Sequence, residues 1–306
     1  EIADFIAQLT VANPKALADT TPYDIRTSAM EKWAPVYLGK AEPLKSIEHK
    51  YFSGPTADLP IAIYRPEGAG LLPAIVMFHG GGWVAGNLQL NAVQHQLMAT
   101  DTGAVVISVN YQKAPEHKFP IPLDDCFATL EWVSANAKAL GINPDLIGVA
   151  GDSAGANLAA AVALKARDNA IALAFQLLIY PCNDRDFDTE SYRTNATGYG
   201  PSTQAMQWFW QQYLQGDAHN QNPYAIPMRA ESFSNLAPAI VITAEYDPLL
   251  SDGEKYVELL ARDGVATSYK CYEGMIHGFF ANVAATPSSH LALDFAAEEM
   301  VSKTKK

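Results

Sequence analysis

The chain has 306 residues, of which 49% are hydrophobic and 18% charged, so it holds ample apolar side chain for a large core and no compositional sign of disorder. Its formal charge of -12 and the lack of any Lys- and Arg-rich run argue against a nucleic-acid partner, because phosphate binding needs clustered cations. No apolar run approaches the roughly 18 residues of a membrane-spanning helix, so a folded protein without an integral membrane segment is expected.

The N-terminal region begins with helical patterning over residues 2–11 and 22–33. Two strand-like runs follow, residues 49–53 and 61–64, and their short connection predicts antiparallel neighbours. Because the first residue is Glu1 and not Met, removal of an N-terminal signal is one interpretation of the start of the chain. A cytoplasmic protein is the other interpretation, and it is the one expected here.

Short apolar runs alternate with longer helical stretches along the rest of the chain. The predicted strands in this part are residues 74–78, 104–109, 146–150, 175–180, 239–243 and 268–272. Such alternation is typical of an α/β fold in which helices cover both faces of a mostly parallel sheet.

This alternation is interrupted between residues 181 and 238, first by a polar stretch and then by an aromatic helix over residues 206–213. The interruption is typical of an insertion between two core strands. No internal repeat and no low-complexity linker divides the chain. We therefore expect one domain over residues 1–306, with a helical cap contributed by about residues 1–45 and about residues 183–230.

A G-x-S-x-G motif at residues 151–155 lies between a predicted strand and an Ala-rich helix over residues 156–167. This order is typical of a nucleophile elbow, in which small residues permit a sharp turn that exposes Ser153. The bare motif arises by chance in about one chain in ten of this length, so a passive serine in a Gly-rich turn is the alternative.

A second motif, HGGGW at residues 79–83, directly follows the predicted strand 74–78. Consecutive glycines leave backbone N–H groups accessible, which suits donors that face a developing oxyanion. We assign these donors to Gly81 and Gly82, with the N–H of Ala154 as the third. A flexible loop is the alternative, although the motif arises by chance in only about a few chains per thousand.

Four segments occur in one order along the chain: HGGGW at 79–83, GDSAGAN at 151–157, YDPL at 246–249 and HGF at 277–279. Together they resemble the bacterial hormone-sensitive-lipase-like family of esterases. The segment at 110–117 is similar to that family's Tyr-Arg-Leu-Ala-Pro-Glu segment but departs from it at Gln112 and Lys113. The resemblance implies an α/β-hydrolase fold with about eight strands, an N-terminal contribution to the cap, no cofactor and short-acyl-chain ester substrates. Family members often dimerise, which implies a homodimer.

The other two members of a catalytic triad follow from the chain order Ser, Asp or Glu, His that accompanies this elbow. Of the histidines after Ser153, His277 comes soon after a predicted strand, whereas His219 lies in the insertion and His290 in a terminal helix. Among the acids, Asp247 follows a predicted strand, and Glu245 is its rival. The predicted triad is Ser153, Asp247 and His277.

Three tryptophans are candidates for substrate contact. Trp83 ends the glycine motif, while Trp208 and Trp210 lie in the aromatic helix of the insertion, where they could form an acyl-chain wall together with Phe209 and Tyr213. Aromatic residues at helical spacing are more often packing residues, so this alternative stays open. Asp152 could either orient the loop beside the nucleophile or stabilise its own turn.

These features predict a carboxylic ester hydrolase that acts on a small ester through an acyl-enzyme. A serine amidase or peptidase could use the same groups, and a noncatalytic receptor on the same fold is the alternative of another class. No metal site is predicted, because the three cysteines, Cys126, Cys182 and Cys271, have neither CxxC nor Cys/His ligand spacing.

Overall fold

One sheet of eight strands runs through the computed structural model, which describes residues 19–33, 40–41, 43–284 and 286–304. The strands are β1 (Ser46–Ser53), β2 (Asp58–Arg65), β3 (Leu72–Phe78), β4 (Val105–Val109), β5 (Ile142–Asp152), β6 (Gln176–Ile179), β7 (Ala239–Tyr246) and β8 (Thr267–Ile276). Their order is β1-β2-β4-β3-β5-β6-β7-β8. Because β2 runs antiparallel to β1 and β4 and the other neighbours are parallel, the sheet is mostly parallel, as predicted.

Helices cover both faces of this sheet. They are α1 (Pro22–Ser28), continued by a π-helical turn (Ala29–Trp33), α2 (Ala92–Thr102), α3 (Ile121–Asn136), α4 (Ala154–Asp168), α5 (Glu190–Thr194), α6 (Thr203–Tyr213), α7 (Leu250–Arg262) and α8 (Pro287–Thr304), with short 3-10 turns at Pro227–Arg229 and Phe279–Ala281. No helix in the part of the chain that the structure describes combines the length and the apolar character needed to cross a bilayer.

The core explains why the central strands are nearly continuous apolar runs. All five residues of β4 are buried, and alternate residues belong to different core clusters: Val105 and Ile107 to one, Val106 to the other. Each predicted strand overlaps an observed one, and the predicted antiparallel pairing of the first two is confirmed. The helix predicted over residues 22–33 is present, whereas the one over 2–11 lies outside the described residues.

The parallel direction of β5, β7 and β8 places the residues that follow them at one edge of the sheet. Ser153 follows β5 directly, Asp247 follows β7 and His277 follows β8. The topology of the sheet therefore brings residues more than a hundred positions apart in the chain, such as Ser153 and His277, to one edge.

The two segments that were expected to form a cap both make contacts with loops at this edge of the sheet. From α1, Arg26 donates hydrogen bonds to the carbonyls of Val84 and Ala114 and pairs with the Glu116 carboxylate. From the insertion, α6 brings the ring of Phe209 against Gly82. The glycine motif is thus enclosed from two sides.

Candidate active site

The nucleophile elbow has the strained backbone that its motif predicts. Ser153 has φ 55° and ψ −121° between β5 and α4, a conformation that residues with a Cβ rarely adopt. A Cβ on Gly155 would overlap the carbonyl of Phe78, and one on Gly151 would overlap the backbone of Gly155. Glycine is therefore required at position 155 by the close approach of β3, and at position 151 by the tight turn of the elbow itself.

The three residues predicted as the triad form a continuous hydrogen-bonded chain. The Oγ of Ser153 lies 3.0 Å from Nε2 of His277, and Nδ1 of His277 lies 2.7 Å from Oδ2 of Asp247. Asp247 is 1% exposed, and its Oδ1 accepts the N–H of Leu249 at 2.9 Å. The carboxylate is thus held in place from both oxygens, which suits a group that orients an imidazole.

The rival residues have other contacts. Glu245 accepts the N–H of Gly274 at 2.7 Å, within β8, while His277 faces Asp247. His290 contacts the carbonyl of Val283 at 3.1 Å. His219 packs its ring edge-on against an aromatic side chain, Phe119. Among the described residues, these contacts favour Asp247 and His277 over the alternatives that chain order left open.

The glycine motif folds back on itself beside the elbow. Gly81 has φ 114° and Gly82 has φ 61°, and the carbonyl of Gly81 accepts the N–H groups of Val84 and Ala85 at 3.1 and 2.8 Å. A Cβ on Gly81 would lie 2.6 Å from the backbone of Ala85. Within the described ranges, the N–H groups of Gly81, Gly82 and Ala154 have no acceptor in the protein. They are therefore available to an oxyanion.

Asp152 joins the elbow to the glycine motif. Its Oδ1 accepts the N–H of Gly80 at 2.9 Å, across 72 positions of the chain. Burial raises the pKa of the Asp152 carboxyl to about 6, although the Gly80 hydrogen bond and the neighbouring His277 act in the opposite direction. Of the two roles that the sequence left open, the contact favours orientation of the loop.

We expect an Asp152→Asn variant to gain stability relative to the wild type as the pH rises. The folded-state pKa of about 6 exceeds the ordinary value of about 4, so the wild type loses stability as the pH rises through 6, and the amide does not titrate. The difference in unfolding free energy, variant minus wild type, should increase by up to about 3 kcal/mol between about pH 4 and pH 8 in denaturant titrations. A difference independent of pH would contradict a buried, titrating carboxyl.

His79, the first residue of the motif, supports the loop from within. Its ring stacks on Tyr111 with centroids 4.4 Å apart, and the Tyr111 hydroxyl donates to the carbonyl of His79 at 2.8 Å. Burial holds the pKa of His79 well below its usual range, so the imidazole stays neutral. These contacts give His79 a packing role.

The structure places the three candidate tryptophans differently. Trp83 and Trp210 have no exposed surface, and both rings pack with Tyr213: Trp83 and Tyr213 stack with centroids 4.4 Å apart. In this arrangement they are packing residues beneath the site, which corrects the expectation of substrate contact for these two. Trp208 is half-buried and keeps accessible surface.

Phe209, which the sequence analysis grouped with the tryptophans of the aromatic helix as a possible acyl-chain wall, borders the glycine motif. Its ring lies where a Cβ on Gly82 would be, so it borders the predicted oxyanion loop. The spacing of apolar residues in α6 indicates which side chains face the core. Its buried face consists of Met206, Trp210 and Tyr213, which are spaced by four and three residues. Phe209 and Trp208 lie off that face and are both half-buried.

No group of three or more His, Cys, Asp or Glu side chains is placed to hold a metal ion in the described part of the chain. Cys126 and Cys182 are buried and Cys271 is half-buried, and all three are free thiols. Burial raises the pKa of Cys126 and Cys182 well above the usual range, so neither is a reactive thiolate.

Known proteins similar to this chain agree with the geometry. The family model of the α/β hydrolase fold matches residues 75–281. The carboxylic ester hydrolase LipN of Mycobacterium tuberculosis is 36% identical over 233 residues, which span 74% of this chain and 62% of LipN. The carboxylesterase NlhH of the same organism is 37% identical over 237 residues, which span 76% of this chain and 74% of NlhH.

A solved structure matches over almost the full length. EstE1, described as a thermophilic and thermostable carboxylesterase cloned from a metagenomic library, has a TM-score of 0.91 and 32% sequence identity. The match covers 95% of this chain and 100% of EstE1. The chain therefore belongs to the α/β-hydrolase fold family, and its relatives place it among the hormone-sensitive-lipase-like carboxylesterases.

Proposed function

We propose that this carboxylesterase hydrolyses small, short-acyl-chain esters through an acyl-enzyme formed on Ser153. The observation that carries the proposal is the hydrogen-bonded chain from Ser153 through His277 to Asp247, with distances of 3.0 and 2.7 Å. A serine hydroxyl is a weak nucleophile until a neighbouring base accepts its proton, and a neutral imidazole is such a base.

In the first half-reaction, Oγ of Ser153 attacks the ester carbonyl carbon while Nε2 of His277 accepts the hydroxyl proton. The bond to the alcohol oxygen then breaks, and His277 returns the proton to the departing alcohol. In the second half-reaction, a water molecule gives a proton to His277 and attacks the acyl carbon; the bond from this carbon to Oγ of Ser153 then breaks, and His277 returns the proton to Oγ as the acid is released. Asp247 holds the tautomer of the imidazole and stabilises its charged form in both halves.

The oxyanion of each tetrahedral intermediate is bound, in this proposal, by the N–H groups of Gly81, Gly82 and Ala154. Each such donor contributes about 3 kcal/mol to stabilisation of the transition state. Support comes from the hydrogen bond that Asp152 accepts from Gly80, because it fixes the glycine loop to the strand that carries Ser153. The donors are thus held in position before substrate arrives.

The acyl pocket is proposed to lie under a cap formed by about residues 1–45 and about residues 183–230. The contact of Phe209 with Gly82 supports this placement, because it brings an aromatic ring beside the reacting carbonyl. Trp208 and Phe209 then border the acyl chain.

We expect kcat/KM for p-nitrophenyl esters to be highest for acetyl to hexanoyl chains. Each methylene adds about 0.8 kcal/mol of binding only while the pocket can enclose it, so longer chains bring no further gain under a closed cap. The lauroyl ester should be about tenfold poorer or worse. A continuous rise of kcat/KM to the lauroyl ester would show an open groove and contradict the short-chain proposal.

Matched ester and amide substrates in the same series separate the two enzymatic alternatives. An amidase would hydrolyse the amide at a comparable rate, whereas an esterase should discriminate strongly because the amine is a poorer leaving group. A noncatalytic receptor would hydrolyse neither.

Two further features stay predictions. A homodimer is expected from the family, and the exposed edge of β8 offers a surface for it, because among the described strands β8 pairs only with β7. A cytoplasmic location is the second.

A further inference from the structure

A buried asparagine from the insertion contacts the backbone of Asp247, the proposed catalytic acid, and of the residue two positions before it. Asn195 directly follows α5 and is 8% exposed. Its Nδ2 donates to the carbonyl of Glu245 and to the carbonyl of Asp247, at 3.2 Å in each case. One side-chain amide therefore uses both of its protons to hold the segment that carries Asp247.

The same short helix contacts the chain just beyond the acid. The Oγ of Ser191, in α5, donates to the carbonyl of Pro248 at 2.7 Å and accepts the N–H of Ser251 at 3.1 Å. Together, the side chains of Asn195 and Ser191 hold residues 245–251 with four hydrogen bonds, and the N–H of Ser191 donates a fifth to Oγ of Ser251 at 3.3 Å. We call this set of contacts the α5 clamp.

The loop after Asn195 continues to His277. Gly200 has φ 129°, and a Cβ at this position would lie 2.8 Å from the Cβ of His277. The ring of Tyr199 packs against Tyr246, with centroids 5.1 Å apart. Residues 195–200 thus touch the elements that carry both the acid and the base.

The sheet alone does not fix this segment. The ladder between β7 and β8 has a register shift between Ala244 and Tyr246, directly before Asp247. The carbonyls of Glu245 and Asp247, on either side of the end of β7, accept from the Asn195 amide. The direction of the Asp247 carboxylate therefore depends on a contact from the insertion.

We propose that Asn195 is a positioning residue for the Asp247–His277 pair, and that the insertion and the triad are coupled through the α5 clamp. This inference rests on the proposed function. Asn195 touches no reacting atom, so its effect passes through the geometry of Asp247. Misplacement of a catalytic group by about 1 Å costs up to about 100-fold in rate, so the loss of two positioning hydrogen bonds should affect turnover more than binding.

The test is Asn195→Ala in the full chain, assayed with p-nitrophenyl acetate. We expect kcat to fall about tenfold or more, with KM within about twofold of the wild type. We also expect the far-downfield proton NMR resonance of the Nδ1–H of His277, which reports its hydrogen bond to Asp247, to move or broaden. A residue that only stabilised the fold would change neither kcat nor this resonance.

Gln176→Ala is the matched control. Gln176 is also buried, and its Nε2 donates to the carbonyl of Ala237 at 2.9 Å, at the start of β6 and away from the triad. This variant should lose stability and keep both the kcat and the resonance. If Asn195→Ala does not fold, Ser191→Ala removes the other contact of the clamp and should shift kcat and the resonance in the same direction.

The inference is overturned if the folded Asn195→Ala or Ser191→Ala variant keeps the wild-type kcat and resonance. It is also overturned if Gln176→Ala lowers kcat equally, since buried amides would then act only through stability. The Ser153→Ala variant tests the proposed function separately. If that variant loses activity, Ser153 is the nucleophile, whatever kcat the Asn195→Ala variant shows.

Discussion

Replacement of Ser153 by alanine should lower kcat/KM for p-nitrophenyl acetate by at least about 10⁴-fold. The variant removes the atom that forms the acyl-enzyme, and what is left comes from substrate binding and the oxyanion donors alone. Among the described residues, the Ser153 hydroxyl makes a single hydrogen bond, the 3.0 Å contact with His277, so its loss should not unfold the chain. Initial rates and a thermal melt of the same preparation measure the two effects.

Ser108→Ala provides the control for a lost buried serine hydroxyl. Ser108 lies in β4 and is fully buried, but it is no part of the predicted triad. Its replacement should keep kcat/KM within about twofold of the wild type. Equal activity of wild type and Ser153→Ala would exclude Ser153 as the nucleophile.

The second large effect is expected for Gly82→Ala, in which kcat should fall by about 10²- to 10³-fold. Gly82 has φ 61°, which a residue with a Cβ rarely adopts, and a Cβ would also overlap the ring of Phe209. Relief of this strain should displace the loop from the position in which its N–H groups are proposed to face the oxyanion. The loss should appear in kcat, because the donors bind charge that develops only in the transition state.

Gly103→Ala separates this effect from backbone strain. Gly103 has φ 66°, almost the same as Gly82, but nothing lies within 4 Å of its Cβ position at the end of α2. This variant should lose about 1 kcal/mol of stability and keep its kinetic constants. If Gly82→Ala retains the wild-type kcat, the N–H groups of this loop do not bind the oxyanion.

Local signals in the sequence were sufficient to predict the sheet and the elbow that carries Ser153. The strands β3, β4, β6 and β7 are short apolar runs, and Ser153 lies between two glycines where β3 approaches the elbow. His277 and Asp247 could be selected because strands that run in one direction end at one edge of a sheet. The selection needed only chain order and position after a strand.

Contacts between distant segments could not be predicted from such local signals in the sequence. The bond from Asn195 to Asp247 spans 52 positions and the one from Gly80 to Asp152 spans 72, and neither follows a periodic pattern. The two tryptophans, Trp83 and Trp210, were overestimated as substrate contacts because composition does not reveal which side of an aromatic cluster faces a pocket. Their mutual contact, with ring centroids 4.5 Å apart and planes tilted by 52°, depends on how α6 lies across the glycine motif.

Covalent labelling by a fluorophosphonate tests the central claim most directly. An activated serine displaces fluoride from phosphorus, so the intact mass should rise by one phosphonyl group and peptide mapping should locate it on Ser153. The adduct should be absent from Ser153→Ala and should form far more slowly in His277→Ala, which lacks the base. Labelling of another residue, or no labelling of the folded wild type, would contradict a nucleophile at Ser153 activated by His277.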